Sequence, residues 1–277
     1  MADIFLDAVL DTLKALPFLF GAYLLIEFLE QRANEKFLGV LKGPLGPLGG
    51  AVLGCVPQCG FSVAAANFYA GRLISPGTLL AVFLATSDEA IPLLLSQPRA
   101  IPDLFRLLGV KLLAAVLFGL LVDLVCKRVL KLAPERPFQD LCGDCHCEEE
   151  GIFRAALHHT GEVVLFLFLV SLALGYAIYF VGEENISRFL LSGSIFQPFL
   201  AALIGFIPNC AASVILTELF LSGSLSFGSA VAGLCTGAGL GLIVLFKANR
   251  HLRENLILAG VLYAAAVFTG LVCNLIF

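Results

Sequence analysis

The stretch GCVPQCGFSV, residues 54–63, lies within 29 consecutive residues, 43–71, that carry no charge, yet it holds a proline, a glutamine and two cysteines. Pro57 removes a backbone donor and clashes with the carbonyl one turn earlier, so a helix entering this stretch must break there. A break frees N–H and C=O groups. In lipid each would cost several kcal/mol, so irregular backbone at membrane depth is tolerated only where protein packs around it or where it lines a wet cavity.

The rest of the chain supports a membrane setting. Its 277 residues are 59% hydrophobic and 14% charged, with a mean hydropathy of +0.96, against roughly 25% charged and 45–50% apolar in a soluble domain. Uncharged runs at 163–182, 189–217, 219–246 and 256–277 reach the ~20 residues that cross a ~30 Å hydrocarbon core. The first twenty residues carry Asp3, Asp7 and Asp11 where a secretory leader would be basic, so this segment is expected to stay in the membrane. A net charge of −4 offers no basic face to a phosphate backbone and argues against nucleic acid as a partner. Nine cysteines in a largely apolar chain are read as reduced thiols, some of them ligands, rather than as a disulfide scaffold.

Sliding the sequence against itself by 151 residues places GCVPQCGFSV on GFIPNCAASV, residues 205–214. The same offset puts Pro47 on Pro198, Ser75 on Ser226, Gly77 on Gly228 and Gly119 on Gly270. A period this long is a duplicated half-molecule, an organisation common in secondary transporters. Each half is expected to hold an opening helix (about 9–30 and 158–181), the proline-bearing segment (about 44–71 and 195–221), a third hydrophobic segment (about 76–97 and 226–246) and a fourth (about 105–127 and 255–277). The expected organisation is thus repeat one over 1–136, a polar Cys/His linker over 137–153 and repeat two over 154–277.

If the proline segments turn back within the bilayer, each half makes an odd number of crossings and the halves are inverted. Most basic residues, Arg72, Lys247, Arg250 and Arg253 among them, then share the cytoplasmic face, while Arg99, Arg106, Lys111 and Arg188 fall near the other. That division follows the positive-inside tendency. The expected fold is therefore an all-α polytopic membrane protein of two inverted repeats, each with three full spans and a broken, re-entrant helix pair, about ten helices in all.

Two breaks at equivalent places in inverted repeats point to a substrate site near the midplane, because half-helix ends present dipoles and bare carbonyls to an ion. Pro57, Gln58 and Cys59, with Pro208, Asn209 and Cys210, are its candidate lining, and Ser62, Asn67 and Ser213 are weaker polar candidates. The competing reading is a proline kink with small residues for close helix packing. The third segment of repeat one adds Ser87, Asp88 and Glu89. A carboxylate at helix centre costs about 2.5–3.5 kcal/mol on insertion scales, so Asp88 and Glu89 should face the protein interior or water, unless the helix ends near Thr86 and leaves them at the interface. Glu218, on the broken segment of repeat two, is expected to face them. Cys59, Cys210, Asp88 and Glu89 are the candidate metal ligands here. In the linker, Cys142, Cys145, His146 and Cys147 form C-x2-C-H-C, thiolate and imidazole donors that suit zinc or copper.

The duplicated Gly-x-x-Pro-x-Cys segments, the stretch TSDEAIP at 86–92 and the Cys/His-rich linker together resemble the ten-helix heavy-metal exporters of bacteria and archaea, a family related to arsenic permeases and often labelled manganese transporters. The resemblance covers nearly the whole chain. It implies efflux of a heavy metal or metalloid across the cytoplasmic membrane by a protein that is not an enzyme. No Walker motif is found in the sequence, so proton exchange through Asp88 or Glu89 is the expected drive rather than ATP. Expected partners are the metal ion, the lipid bilayer and a second copy of the chain, and no tightly held cofactor is expected. Carboxylates and backbone oxygens suit manganese, whereas the thiols suit arsenite, zinc, cadmium or copper. The alternatives are a permease for a small oxyanion or organic metalloid, held by positive half-helix ends, and an intramembrane thiol oxidoreductase using Cys55 and Cys59.

Overall fold

The computed structural model describes residues 45–126 apart from Asp88, residues 194–277, and scattered positions within 5–24 and 157–176. Those scattered positions are helical wherever they are described. No strand occurs among the described residues, and the elements in chain order are α1 (Gly46–Gly54), α2 (Cys59–Ala70), α3 (Pro76–Ala85), α4 (Ala90–Leu95), α5 (Ile101–Val125), α6 (Gln197–Gly205), α7 (Cys210–Leu221), α8 (Phe227–Thr236), α9 (Leu240–Ala248) and α10 (Leu252–Ile276). A single 3-10 turn, Pro98–Ala100, leads into α5. The chain is a multi-pass membrane protein: α5 and α10, 25 residues each, are long and apolar enough to cross a bilayer unbroken.

The duplication seen in the sequence is repeated in the element bounds. Adding 151 to both ends of α1, α2, α3 and α5 gives α6, α7, α8 and α10, while α9 starts one residue earlier and ends two later than α4 would predict. The breaks after α1 and α6 fall at Pro57 and Pro208, as expected. The third segment departs from the expectation of an unbroken span, being divided in both halves: α3 stops at Ala85 and α4 starts at Ala90, and α8 stops at Thr236 and α9 starts at Leu240. Gly239, with φ of 55°, supplies the left-handed residue that reverses the second of these breaks.

Local chemistry places the helix starts. Ser75 and Ser226 cap α3 and α8, their hydroxyls accepting from the amides of Thr78 and Ser229, and Pro76 sits in the first turn, where a missing N–H costs nothing. From α5, buried Asp123 accepts from the Gly77 amide at 2.8 Å and from the Ser75 hydroxyl at 2.6 Å. At the corresponding place in the second half, Asn274 accepts from the Gly228 amide at 3.0 Å. These bonds need close backbone approach. A Cβ on Gly77 would collide with the carbonyl of Gly119, and one on Gly228 with that of Gly270, which accounts for four of the residues that match across the offset.

Within each half, α1, α3 and α5, or α6, α8 and α10, pack in sequence. The arms α2 and α4 reach across instead: α2 packs on α9, and α7 packs on α4, a reciprocal exchange between the halves. α3 and α8 also meet. The outer surface of α5 is a stripe of Phe105, Leu113, Leu117, Leu121 and Leu124, all exposed, with Leu104, Leu107, Ala115 and Val122 buried on the opposite side. Such an apolar outer face suits contact with lipid chains rather than water.

Candidate functional site

The two proline breaks share one geometry. The Gln58 amide donates to the Val56 carbonyl at 2.7 Å and the Asn209 amide to the Ile207 carbonyl at 2.8 Å, so each chain turns tightly around its proline. Gln58 and Asn209 then sit in extended backbone at the cap positions of α2 and α7. The Asn209 side chain accepts from the Ala211 amide at 2.8 Å, so its carbonyl oxygen is committed to capping its own helix. Gln58 makes no such side-chain cap.

The breaks of the two halves converge through a matched pair of serines. Ser62 on α2 and Ser213 on α7 are 151 residues apart, and both border the interruption between α8 and α9. A Cβ on Gly241 would lie 2.8 Å from the Ser62 side chain and backbone, and one on Gly237 would lie 3.4 Å from the Ser213 hydroxyl. Glycine at 241 lets α2 come this close, whereas the Ser213 hydroxyl stands at ordinary contact distance from position 237.

Lys111 enters this centre from the middle of α5. It is fully buried, at 0% exposure, and its ammonium donates to the carbonyl of Thr86, where α3 ends, and to that of Leu234, in the last turn of α8, at 2.6 Å. Both carbonyls belong to helix ends that have lost their intrahelical donors, and the negative ends of two helix dipoles favour a cation there. The sequence reading had placed Lys111 near a membrane face by counting charges, and the structure corrects it. The signal for its burial was present: a charge in the middle of an apolar segment is expensive and so faces the interior, the reasoning applied to Asp88 and Glu89.

The other candidates divide into three groups. Ser62 and Asn67 are fully buried and Ser87 is 3% exposed, although Asn67 bonds back to the Val63 carbonyl at 3.2 Å and Ser87 to that of Ala85 at 3.2 Å, which ties them to their own segments. Gln58, Glu89, Pro208, Asn209, Cys210 and Ser213 are half-buried, with Glu89 at the start of α4 and Cys210 outside any disulfide. Pro57 and Glu218 are exposed. α7, which carries Glu218, packs on α4, at whose start Glu89 stands. Asp88, the Cys59 side chain and the linker residues Cys142, Cys145, His146 and Cys147 lie outside the described residues. An apolar crevice between α3, α9 and α10, lined by Leu79, Leu80, Phe83, Leu242 and Leu258, offers no polar side chain to a cargo.

A second polar cluster was also missed by the sequence reading. Arg72, in the turn between α2 and α3, donates to Glu254 on α10 at 2.9 Å and lies 3.4 Å from Nδ1 of His251, joining the two halves at one end of the bundle.

No curated protein and no solved structure matches this chain. Residues 162–277, which include all of α6 to α10, match the model of the ArsP_2 family, whose description is "Putative, 10TM heavy-metal exporter".

Proposed function

We propose that the chain is a secondary exporter of a heavy-metal ion or metalloid, residing in the cytoplasmic membrane and driven by proton exchange. The observation that carries this reading is the convergence of Ser62 and Ser213, from equivalent arms of the two halves, on the broken backbone at Gly237–Gly241. In lipid such backbone persists only against protein or a polar path. The reciprocal packing of α2 on α9 and α7 on α4 supports a pseudo-two-fold relation between the halves, the arrangement that inverted repeats use to alternate access to a fixed site.

In this reading Cys59 and Cys210 offer soft ligands, and Asp88 and Glu89 offer oxygen ligands and the exchangeable proton. In this reading the full burial of Ser62 and Lys111 belongs to an occluded conformation, and the cargo enters when the arms separate. A linker metal site at Cys142, Cys145, His146 and Cys147 would load the exporter from the cytoplasm. Metal accumulation in cells expressing the chain is the test, with cadmium, manganese and arsenite as separate cargoes. Lower accumulation of at least one, reversed by Asp88→Asn or Cys210→Ser, is expected. Unchanged accumulation of all three would reject the reading.

A further inference from the structure

Lys111 is used by nothing in the proposed cycle, yet it is the largest fully buried side chain among the described residues. A charge at helix centre costs about 2.5–3.5 kcal/mol even on lenient scales, so its retention calls for a specific gain. That gain is visible in its partners. The carbonyls of Thr86 and Leu234 come from different halves, each at the C-terminal end of a half-helix. Half-helix C-termini and unwound carbonyls are the groups with which broken-helix transporters coordinate a monovalent metal ion.

We infer that the ammonium of Lys111 fills a monovalent-cation site built from the ends of α3 and α8, so that the protein carries its own cation there and needs neither sodium nor potassium to hold its halves together. The surroundings fit a cation. The thiols of Cys55, beyond α1, and Cys235, on α8, lie within electrostatic reach of the ammonium, and Cys273 of α10 lies near Cys235. α3 has no titratable side chain, and Glu89 stands at the start of α4. No other basic side chain is carried by α1, α3, α4 or α8. Removing the lysine side chain leaves two carbonyl ends without their cation, a site that a sodium, potassium or methylammonium ion can enter.

The binding part of this inference stands on geometry alone; its consequence for flux rests on the export reading. The experiment is thermal unfolding of the purified full chain in detergent, for wild type, K111A, K111Q and K111R, in sodium, potassium or methylammonium chloride, against N-methylglucamine chloride at equal ionic strength. K111A and K111Q are expected to melt several degrees below wild type in N-methylglucamine, and the small cations should recover more than half of the loss. Wild type and K111R, whose guanidinium keeps the charge, should not respond. Equal melting of K111A and wild type in N-methylglucamine overturns the inference, as does an equal salt response of both. If neither uncharged variant folds, wild-type melting decides: equal melting in all four salts supports the inference, and a requirement for sodium or potassium overturns it. Absence of any metal flux, by contrast, removes the export reading and leaves the melting result standing.

Discussion

Arg72 and Gly223 occupy the same position in the two halves, 151 residues apart, and both have left-handed backbone, with φ of 61° and 77°. Glycine adopts this conformation freely, whereas a long side chain pays for it. Arginine is held there by its bond to Glu254. Gly223 and Asp103 are the residues equivalent to Arg72 and Glu254 by the 151-residue offset, and Asp103 bonds instead to Arg106 on its own helix. Among the described residues, the charged tie between the halves at Arg72 and Glu254 has no counterpart at Gly223 and Asp103. Reversing either charge, Arg72→Glu or Glu254→Arg, is expected to lower the melting temperature in detergent, and the double reversal to restore most of the loss. The pair is largely buried, and hydrogen bonds to charged groups contribute about 1.5–3 kcal/mol. Additive losses in the double variant would show that the two residues do not act together.

Close glycine contacts predict a sharp contrast between positions. Gly77→Ala and Gly228→Ala drive a methyl into the Gly119 and Gly270 carbonyls, whereas Gly49 and Gly109 face open space. The first two substitutions should destabilise by about 1–3 kcal/mol, the usual cost of overpacking. Gly49→Ala and Gly109→Ala should be neutral or slightly stabilising, because alanine favours helix. Melting temperatures of the four single variants check this.

Asp123 and Asn274 give a prediction about chemistry rather than space. Each accepts from the amide of the equivalent glycine at a helix start. Asp123→Asn should therefore be well tolerated, since the second half already works with the amide. Asp123→Leu leaves the Gly77 amide and the Ser75 hydroxyl without this acceptor and should cost about 1–3 kcal/mol. Equal stability of the two variants in a melting experiment would contradict this role.

Cys210 is half-buried and forms no disulfide, which makes it a reporter of the site. Cadmium is expected to slow alkylation of Cys210 by N-ethylmaleimide severalfold, and manganese to do so less, because thiolates prefer the softer ion. Measurement requires a variant that keeps Cys210 as its sole cysteine. An alkylation rate untouched by either metal would remove Cys210 from the ligand set.

Much of the fold was legible because the duplication and the prolines are local signals. A shift of 151 residues aligned Gly77 with Gly228 and Gly119 with Gly270, and these became the close contacts. Pro57 and Pro208 marked two breaks for a covalent reason. The break after Ala85 entered only as the alternative that the helix ends near Thr86, and the one after Thr236 was harder to see, because the glycines at 237, 239 and 241 resemble those of close helix packing. Arg72 with Glu254, and Lys111 with Leu234, are 182 and 123 residues apart. Such pairs arise only when the halves dock, and no pattern along one chain announces them. Counting charges misled for Lys111, because a count by loop does not ask what lies at helix centre.

The central claim is that metal crosses where the broken arms of the two halves meet. Efflux from proteoliposomes holding the purified chain tests it most directly, with cadmium, manganese or arsenite inside and an outward-acting proton exchange imposed by a pH step. The account predicts efflux of at least one cargo by wild type and its loss in Gly241→Leu, which wedges a side chain against Ser62 at the meeting point. Efflux of none of the three, or efflux undiminished in a folded Gly241→Leu variant, would contradict it.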